Sequence, residues 1–389
     1  MSLQLNDPSL LKTQCYVNGE WIDALDRQTL DVMNPANGEI VASVASVGAA
    51  ETQAAINAAE NALDSWKNKT AKERSGIMRN WFNLILQNQE DLAKIMTAEQ
   101  GKPLAESRGE ITYAASFIEW FAEEAKRIYG DVTPTTSNDR RLITIKQPVG
   151  VVAAITPWNF PSAMLTRKAG PALAVGCTFV IKPAKETPLS AMALVVLAER
   201  AGIPPGVINL VVGDSSREIG DVLVQSPVVR KLTFTGSTPV GKQLMKGCAD
   251  TVKKVSMELG GNAPIIVFDD ADIDQAVAGA IVSKYRNAGQ TCICANRILV
   301  QSSIYDQFAE KFAKAVGEFH VGDGMNDQTT MGPLLNAKAV AGVDKLVQDA
   351  VSKGATAITG GGLSDKGECF YQPTVLTNVS QDMRVHSEE

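Results

Sequence analysis

The stretch VGVVAAITPWNFP, residues 149–161, decides how this chain folds. It opens as an apolar, strand-sized run and then reaches Thr156 and Pro157, where a strand gives way to a turn. Helical periodicity follows, from about Ser162 to Leu173. A short apolar strand followed directly by a helix indicates a βα unit, and such units in series build a parallel sheet.

The same alternation continues along the chain. Strand-like TFVIKPA, INLVVG and KLTFTG each precede a helical segment, the helices beginning near Ser190, Ser215 and Thr238. A second series starts with APIIVFDD, continues as a helix from Asp272 to about Arg286 and returns as RILVQ. The sequence therefore predicts an α/β fold with a doubly wound, Rossmann-like parallel sheet and a second α/β domain.

The residues before position 149 predict three further features. Asn18-Gly19, between alternating apolar residues, favours a tight hairpin turn. Residues 49–128 are rich in Ala, Glu and Leu and predict helices, with one break at residues 101–103. The polar, Thr-rich segment at about 130–147 predicts a projecting β-hairpin.

Composition excludes several classes of function. A net charge of -6, with no basic run interleaved with aromatics, argues against nucleic acid and anionic membranes as partners. The N-terminus lacks the pattern of a secretory signal, and the apolar runs are strand-sized. Six scattered cysteines are typical of a protein in the reducing cytoplasm.

Histidine is almost absent. The sequence contains two, His320 and His386. This inventory argues against a Ser-His-Asp triad and against a histidine-rich metal site. Acid-base chemistry must therefore use carboxylates, lysines or thiols.

Four predicted strands end in unusual clusters, TPWNFP, KPAKETP, TGSTPVG and ELGGNAP. In doubly wound sheets, ligands bind beyond the carboxyl ends of the strands, so these clusters predict one site at a common edge. Gly236 suits a phosphate at a helix N-terminus and equally a tight strand-helix turn. Lys182 and Lys185 suit ribose hydroxyls or an extra phosphate, although a solvated strand end is the ordinary alternative.

Two residues could carry the chemistry. Glu258 is either a solvated carboxylate or, if desolvated in a pocket, a general base with a raised pKa. Cys292 lies between a helix and a strand, beside Gly289 and Thr291, which favours an exposed nucleophile over a buried packing residue. Cys292 and Cys294 are too few ligands for zinc, so a metal is the least favoured role.

In this order and spacing, TPWNFP, KPAKETP, FTGS, MELGGNAP and GQTCICANR resemble the aldehyde dehydrogenase superfamily over essentially the whole chain. The segments WNFPSAMLTRKAGPALAVGCT and RNAGQTCICANR are most similar to its succinate-semialdehyde branch. The resemblance implies Cys292 as nucleophile, Glu258 as general base and Asn159 as oxyanion donor. It also implies a nicotinamide dinucleotide site lined by Thr156, Pro157, Trp158, Asn159, Lys182, Lys185, Gly236, Ser237, Leu259 and Glu389.

The resemblance further implies a substrate and a cofactor. Arg167 and Arg286 match positions that hold a distal carboxylate, which makes succinate semialdehyde the expected substrate and glutarate semialdehyde the alternative. NAD-preferring relatives often carry Glu at the position of Lys185, so we expect NADP, with NAD as the alternative. An enzyme that transfers the acyl group to CoA is a second alternative, and a non-catalytic scaffold is a third.

Domain division and assembly follow from the same resemblance. We expect a dinucleotide-binding domain over residues 1–257, with the hairpin at 130–147 serving oligomerisation as a homodimer or homotetramer, and a catalytic domain over 258–389. Because family members continue beyond the motif that contains Glu389, we expect the catalytic domain to be truncated here. Cys294 is either a packing residue or a redox partner that forms a reducible disulfide with Cys292.

Overall fold

The computed structural model describes residues 3–388. Strands β1 (Cys15–Val17) and β2 (Glu20–Ile22) pair antiparallel around Asn18 and Gly19. Both turn residues have positive φ, 53° and 85°, as a two-residue type I′ turn requires. The hairpin prediction is therefore confirmed. Strands β3 (Thr29–Met33) and β4 (Ile40–Ala45) form a second antiparallel pair, which the sequence pattern did not predict.

Four helices follow, as predicted, and their bounds are α1 (Ala49–Lys67), α2 (Ala71–Gln87), α3 (Gln89–Gln100) and α4 (Leu104–Glu124). The predicted break between α3 and α4 is also present. Gly101 ends α3 with φ 92°, a left-handed conformation that favours glycine. A Cβ there would lie 2.6 Å from Pro333 Cγ, so this corner packs tightly against the second half of the chain.

The projecting hairpin is present as β5 (Asp131–Thr133) and β6 (Leu142–Thr144), which pair antiparallel. Every residue in both strands is exposed. Exposed strands with apolar side chains such as Val132 and Ile143 indicate a surface that another chain could cover.

A seven-stranded sheet forms the centre of the fold, in the order β11-β10-β7-β8-β9-β1-β2. Its parallel strands are β7 (Val151–Ile155), β8 (Thr178–Lys182), β9 (Ile208–Leu210), β10 (Val229–Thr235) and β11 (Lys254–Glu258). The intervening helices are α5 (Pro161–Ala174), α6 (Pro188–Arg200), α7 (Ser216–Gln225) and α8 (Thr238–Ala249).

Helices cover this sheet in two groups. Helices α5 and α6 pack together with α2, while α1, α7 and α8 form the other group. Strands β8 and β9 are buried throughout, which explains their continuous apolar sequence. The doubly wound parallel sheet is thus confirmed. Strand β11 closes one edge, and most of its side chains are exposed.

Beyond β11 the chain leaves this sheet and builds a second set of elements. These are β12 (Ala263–Val267), α9 (Ile273–Tyr285), β13 (Ala295–Val300), α10 (Tyr305–Gly317), α11 (Ala337–Ser352), β14 (Thr356–Thr359), β15 (Val375–Thr377) and α12 (Arg384–Ser387). Strands β12 and β13 pair in parallel. The large core extends from Leu10 to Cys248, and a separate core spans Val267 to Val375.

Of the helices within residues 3–388, none combines the length and the hydropathy that a membrane crossing requires.

Candidate active site

The four clusters after the strands come together at one edge of the sheet. In the parallel register Ile155 lies beside Lys182, and Phe234 lies beside Ile155. Thr235 lies beside Glu258 on the next strand. The segments that follow β8, β7, β10 and β11 therefore start next to each other, because parallel strands present their carboxyl ends at the same edge.

Asn159 lies in the loop between β7 and α5 and contacts the loop that carries Cys292. Its side-chain Nδ2 donates to the carbonyl of Gln290 at 3.0 Å. Its own main-chain carbonyl accepts from Lys102 Nζ at 2.7 Å and from Asn287 Nδ2 at 3.2 Å. The structure thus joins the predicted oxyanion donor to a residue two positions before the predicted nucleophile.

The turn before Cys292 is conformationally unusual. Asn287 and Ala288 both have φ of 53°, in the left-handed region, and Gly289 follows with φ 77°. A left-handed non-glycine residue costs of order 1–3 kcal/mol and persists only where its surroundings hold it. One such contact is Asn287 N–H, which donates to the Glu106 carboxylate of α4 at 2.8 Å. Burial raises the pKa of that carboxyl above its ordinary value.

Cys292 itself is half-buried, in a turn between a short 3₁₀ segment (Arg286–Gly289) and β13. The double-glycine segment after β11 passes close by, because a Cβ added to Gly261 would lie 3.4 Å from the Cys292 carbonyl oxygen. The end of β11 and the nucleophile loop are therefore neighbours. Glu258, the last residue of β11, belongs to the same edge.

Glu258 does not lie in a desolvated pocket. Its side chain is exposed, and its main-chain carbonyl accepts the Gly236 N–H at 3.0 Å. Of the two alternatives that the sequence left open, this structure shows the solvated strand end. The reason is the edge position of β11, which has β10 on one side and lacks a strand on the other within residues 3–388. The role of Glu258 as general base stays a prediction.

Lys182 and Lys185 differ in environment. Lys182 is buried at the end of β8, and desolvation lowers the pKa of its ammonium to about 8. Lys185 is partly exposed and pairs with Asp214 at 2.5 Å. That hydrogen bond raises the pKa of Lys185. Both residues lie where β8 ends and the loop into α6 begins, and their ammonium groups suit an anionic ligand there.

The remaining candidate cofactor residues frame the start of α8. Ser237 is the N-cap of α8, yet its side chain makes no capping hydrogen bond, which leaves the first N–H groups of the helix open to a ligand. Leu259 packs against Gly241 in the first turn, since a Cβ at Gly241 would lie 2.5 Å from Leu259 Cδ2. Across the edge, the buried Thr156 Oγ1 has no hydrogen-bond partner among residues 3–388. An orphaned hydroxyl and an open helix end fit a polar, phosphate-bearing cofactor.

Pro157 and Trp158 are partly buried beside Thr156, and the Trp158 carbonyl accepts a hydrogen bond from Thr187 at 3.3 Å. This contact joins the loop after β7 to the loop after β8. Glu389 lies outside the described residues. Among residues 3–388 we find no group of His, Cys, Asp and Glu arranged to hold a metal ion.

The two arginines flank one small apolar cluster, formed by Ala114, Phe160, Ala163 and Met164. Arg286 lies over the Phe160 ring, 4.7 Å from its centroid. Arg167 donates to the Tyr113 hydroxyl at 3.1 Å. Within residues 3–388 neither arginine is part of a salt bridge, and their partners include the Tyr113 hydroxyl and the Phe160 ring.

Cys294 is buried, and its thiol donates to the carbonyl of Lys284 at 3.4 Å. In this conformation Cys294 packs against the end of α9. A disulfide with Cys292 would require the thiol to leave that carbonyl, and the redox role stays a prediction.

Sequence reasoning missed the residues that support this site. It placed Lys102 in a helix break, and it treated Gln100, Glu106, Glu110 and Asn287 as ordinary helix or loop residues. Gln100 Nε2 donates to Asn287 Oδ1 at 2.9 Å although 187 positions separate them. The signal that could have found Lys102 is its place between glycine and proline, a pattern that by itself indicates only a turn.

Fold and site together define the class: an α/β protein of the dinucleotide-binding type, with a cysteine loop and an asparagine loop joined at the carboxyl edge of its sheet. The model of the aldehyde dehydrogenase family matches residues 21–389. The chain belongs to that family.

Its relatives are similar over their shared length. The chain is 59% identical over 387 residues to the NADP(+) succinate-semialdehyde dehydrogenase of Escherichia coli, covering 100% of this chain and 80% of that protein. It is 60% identical to the glutarate-semialdehyde dehydrogenase of Pseudomonas putida, with the same coverage. The crystal structure of succinate-semialdehyde dehydrogenase from Burkholderia pseudomallei matches with a TM-score of 0.98 at 55% identity, covering 99% of this chain and 80% of that one.

Proposed function

We propose that this aldehyde dehydrogenase oxidises succinate semialdehyde to succinate with NADP. The observation that carries the proposal is the hydrogen bond that joins Asn159 to the loop of Cys292, beside two lysines that suit an anionic cofactor. The similarity to an NADP(+) succinate-semialdehyde dehydrogenase supports the choice of substrate and cofactor.

Cys292, as thiolate, attacks the aldehyde carbon and forms a tetrahedral oxyanion. A primary amide has two N–H donors, and Asn159 uses one of them on Gln290, so the second can meet the oxyanion together with the Cys292 N–H. One such donor contributes about 3 kcal/mol of transition-state stabilisation. The nicotinamide ring, when bound, supplies the acceptor for the hydride that leaves the same carbon.

Loss of hydride leaves a thioester on Cys292, and water must then hydrolyse it. Glu258 takes the proton from that water as the carboxylate product forms. The side chain of Glu258 is exposed and can therefore meet water. The hydrolysis step converts the thioester and water into the carboxylic acid and the free Cys292 thiol, and it requires no metal ion.

The far end of the substrate carries a carboxylate, which Arg167 and Arg286 bind. A guanidinium can hold a carboxylate through two parallel hydrogen bonds. Both guanidinium groups lie beside the apolar cluster, Arg286 over the Phe160 ring and Arg167 with its Nη1 3.8 Å from Met164 Sδ. Glutarate semialdehyde is the second candidate, since one methylene contributes only about 1–3 kcal/mol to discrimination. A relative with that name at 60% identity favours keeping it as the alternative.

The cofactor preference rests on charge. Lys182 and Lys185 provide positive charge where a 2′-phosphate would need it, and NAD is the alternative.

The division into a dinucleotide-binding domain (1–257) and a catalytic domain (258–389) belongs to this proposal and is supported by the two separate cores. The proposal also includes assembly as a homodimer or homotetramer through the hairpin at 130–147. It includes a cytoplasmic location, which the scattered cysteines suggest.

The test is steady-state oxidation of succinate semialdehyde with NADP, with butanal as a substrate of equal length that lacks the carboxylate. We expect C292S to abolish turnover and the matched control C294S to retain it. R286M should raise KM for the semialdehyde by about tenfold or more and leave KM for butanal unchanged, because a charge-assisted pair contributes roughly 1.5–3 kcal/mol. Turnover by C292S, or equal KM changes for both aldehydes, would contradict the assignment. A CoA thioester product would favour the acyl-transfer alternative.

A further inference from the structure

Lys102 is a buried, charged residue beside the candidate site, and the mechanism above does not use it. It lies in the break between α3 and α4, and its side chain is fully buried. Its ammonium donates to Glu110 Oε2 at 2.5 Å and to the main-chain carbonyl of Asn159 at 2.7 Å. It also lies 4.0 Å from the centroid of the Phe160 ring. The ammonium has three N–H donors, and it has three partners here: a carboxylate, a main-chain carbonyl and an aromatic ring.

Glu110 holds the other side of the same loop. Its Oε1 accepts the backbone N–H groups of Ser162 and Ala163, at 3.0 and 3.2 Å, in the first turn of α5. The ion pair Lys102–Glu110 thus clamps the short loop from Asn159 to Ser162 at both ends. Burying such a pair costs desolvation energy that a well-packed apolar pair avoids, so stability alone is a poor reason to have it.

The clamp leads directly to the reacting centre. Lys102 fixes the Asn159 carbonyl, and the Asn159 side chain reaches the carbonyl of Gln290, two residues before Cys292. We propose that Lys102 is a positioning residue: it holds the Asn159 backbone so that the amide points at the oxyanion. This inference rests on the proposed function, because it assigns Lys102 a role only through Asn159.

The test removes the ammonium without leaving a buried carboxylate unpaired. The parent is E110Q, whose side-chain carbonyl can still accept from α5, and the test protein is K102M/E110Q. We expect kcat to fall by roughly 10- to 100-fold, since a misplaced catalytic donor of this kind costs up to about 100-fold. KM for NADP should change by less than about twofold, because the one proposed cofactor residue that Lys102 contacts is Asn159, and there it contacts only the main-chain carbonyl.

A double-mutant cycle separates positioning from general damage. With N159A added to both proteins, removal of the ammonium should lower kcat by no more than about twofold, because residues that act through one group are not additive. Alkylation of Cys292 by iodoacetamide, followed by peptide mass spectrometry, should proceed at equal rates in E110Q and K102M/E110Q, since it forms no oxyanion. T97V, which breaks the buried Thr97–Ser107 contact at the same corner, is the matched control and should retain kcat.

An equal loss of kcat with and without Asn159, a parallel loss of alkylation, or an unchanged kcat in K102M/E110Q would each overturn the proposal. Should K102M/E110Q fail to fold, K102Q enters the same cycle with the same criteria. A wild-type protein that does not oxidise the semialdehyde removes the proposed function and this inference together. An active wild type with an additive cycle removes the inference alone.

Discussion

Cofactor affinity should fall as the pH rises through 8, because of Lys182. Burial lowers the pKa of this lysine from 10.5 to about 8. An anionic cofactor favours the charged ammonium, so the complex binds more protons than the free protein. By linkage, binding must weaken as the pH rises above the pKa of the free protein.

The magnitude follows from the pKa. At a pKa of about 8, about nine-tenths of the Lys182 side chains are charged at pH 7 and about one-tenth at pH 9. If the charged form binds, Kd for NADP rises about tenfold between these pH values, which corresponds to about 1.4 kcal/mol. The 2′-phosphate of NADP is already largely ionised across this range, since the second pKa of a phosphate monoester is about 6.

The assay is equilibrium titration of the protein with NADP at pH 7, 8 and 9 and constant ionic strength. K182M should bind more weakly at pH 7 and lose the pH dependence. K253M is the matched control, because Lys253 is also a buried lysine whose pKa desolvation lowers. It precedes the amino end of β11 and is therefore away from the carboxyl edge of the sheet. A tenfold change that persists in K182M, or a wild-type Kd that stays constant from pH 7 to 9, would refute the reasoning.

Two further predictions concern the same edge of the sheet. Lys185→Glu should lower kcat/KM for NADP by about tenfold or more while kcat/KM for NAD changes little, because a carboxylate repels the 2′-phosphate. D214N, which removes the partner of Lys185, should keep the preference for NADP. An unchanged ratio of kcat/KM for NADP to kcat/KM for NAD in K185E would exclude Lys185 as the determinant. Gly236→Ala should lower the free energy of unfolding by roughly 1–3 kcal/mol in urea, because its Cβ would lie 2.5 Å from the buried Phe234 ring. Gly76→Ala, with open space at its Cβ, should not destabilise, and equal midpoints for the two variants would count against the steric argument.

Much of the sheet could be predicted because its signal is local. Strand β8 reads as a continuous apolar run, and the structure buries it on both faces. Helix α5 was expected near Ser162 and begins at Pro161, a residue favoured in the first helical turn. The shared edge followed from the geometry of parallel strands, so the sequence alone could place together four clusters that are far apart along the chain.

The support of the site could not be predicted in this way. Asn159 and Gln290 are 131 positions apart, and Lys102 and Asn159 are 57 apart. No periodicity relates such residues, because their contact depends on how α4, α5 and the nucleophile loop pack against one another. The left-handed conformation of Ala288 is of the same kind, since alanine disfavours it and only the surrounding structure can hold it.

The sequence by itself therefore determined the alternation of strands and helices in the central sheet, the edge of the sheet where the candidate site lies and, through the family motifs, the candidate nucleophile, base and oxyanion donor. Only the tertiary structure decided that Glu258 is exposed and that Lys102 holds the Asn159 loop. The physical reason is range. Hydrophobic periodicity and turn preference act between neighbours along the chain, whereas burial and hydrogen bonding depend on groups that only folding brings together.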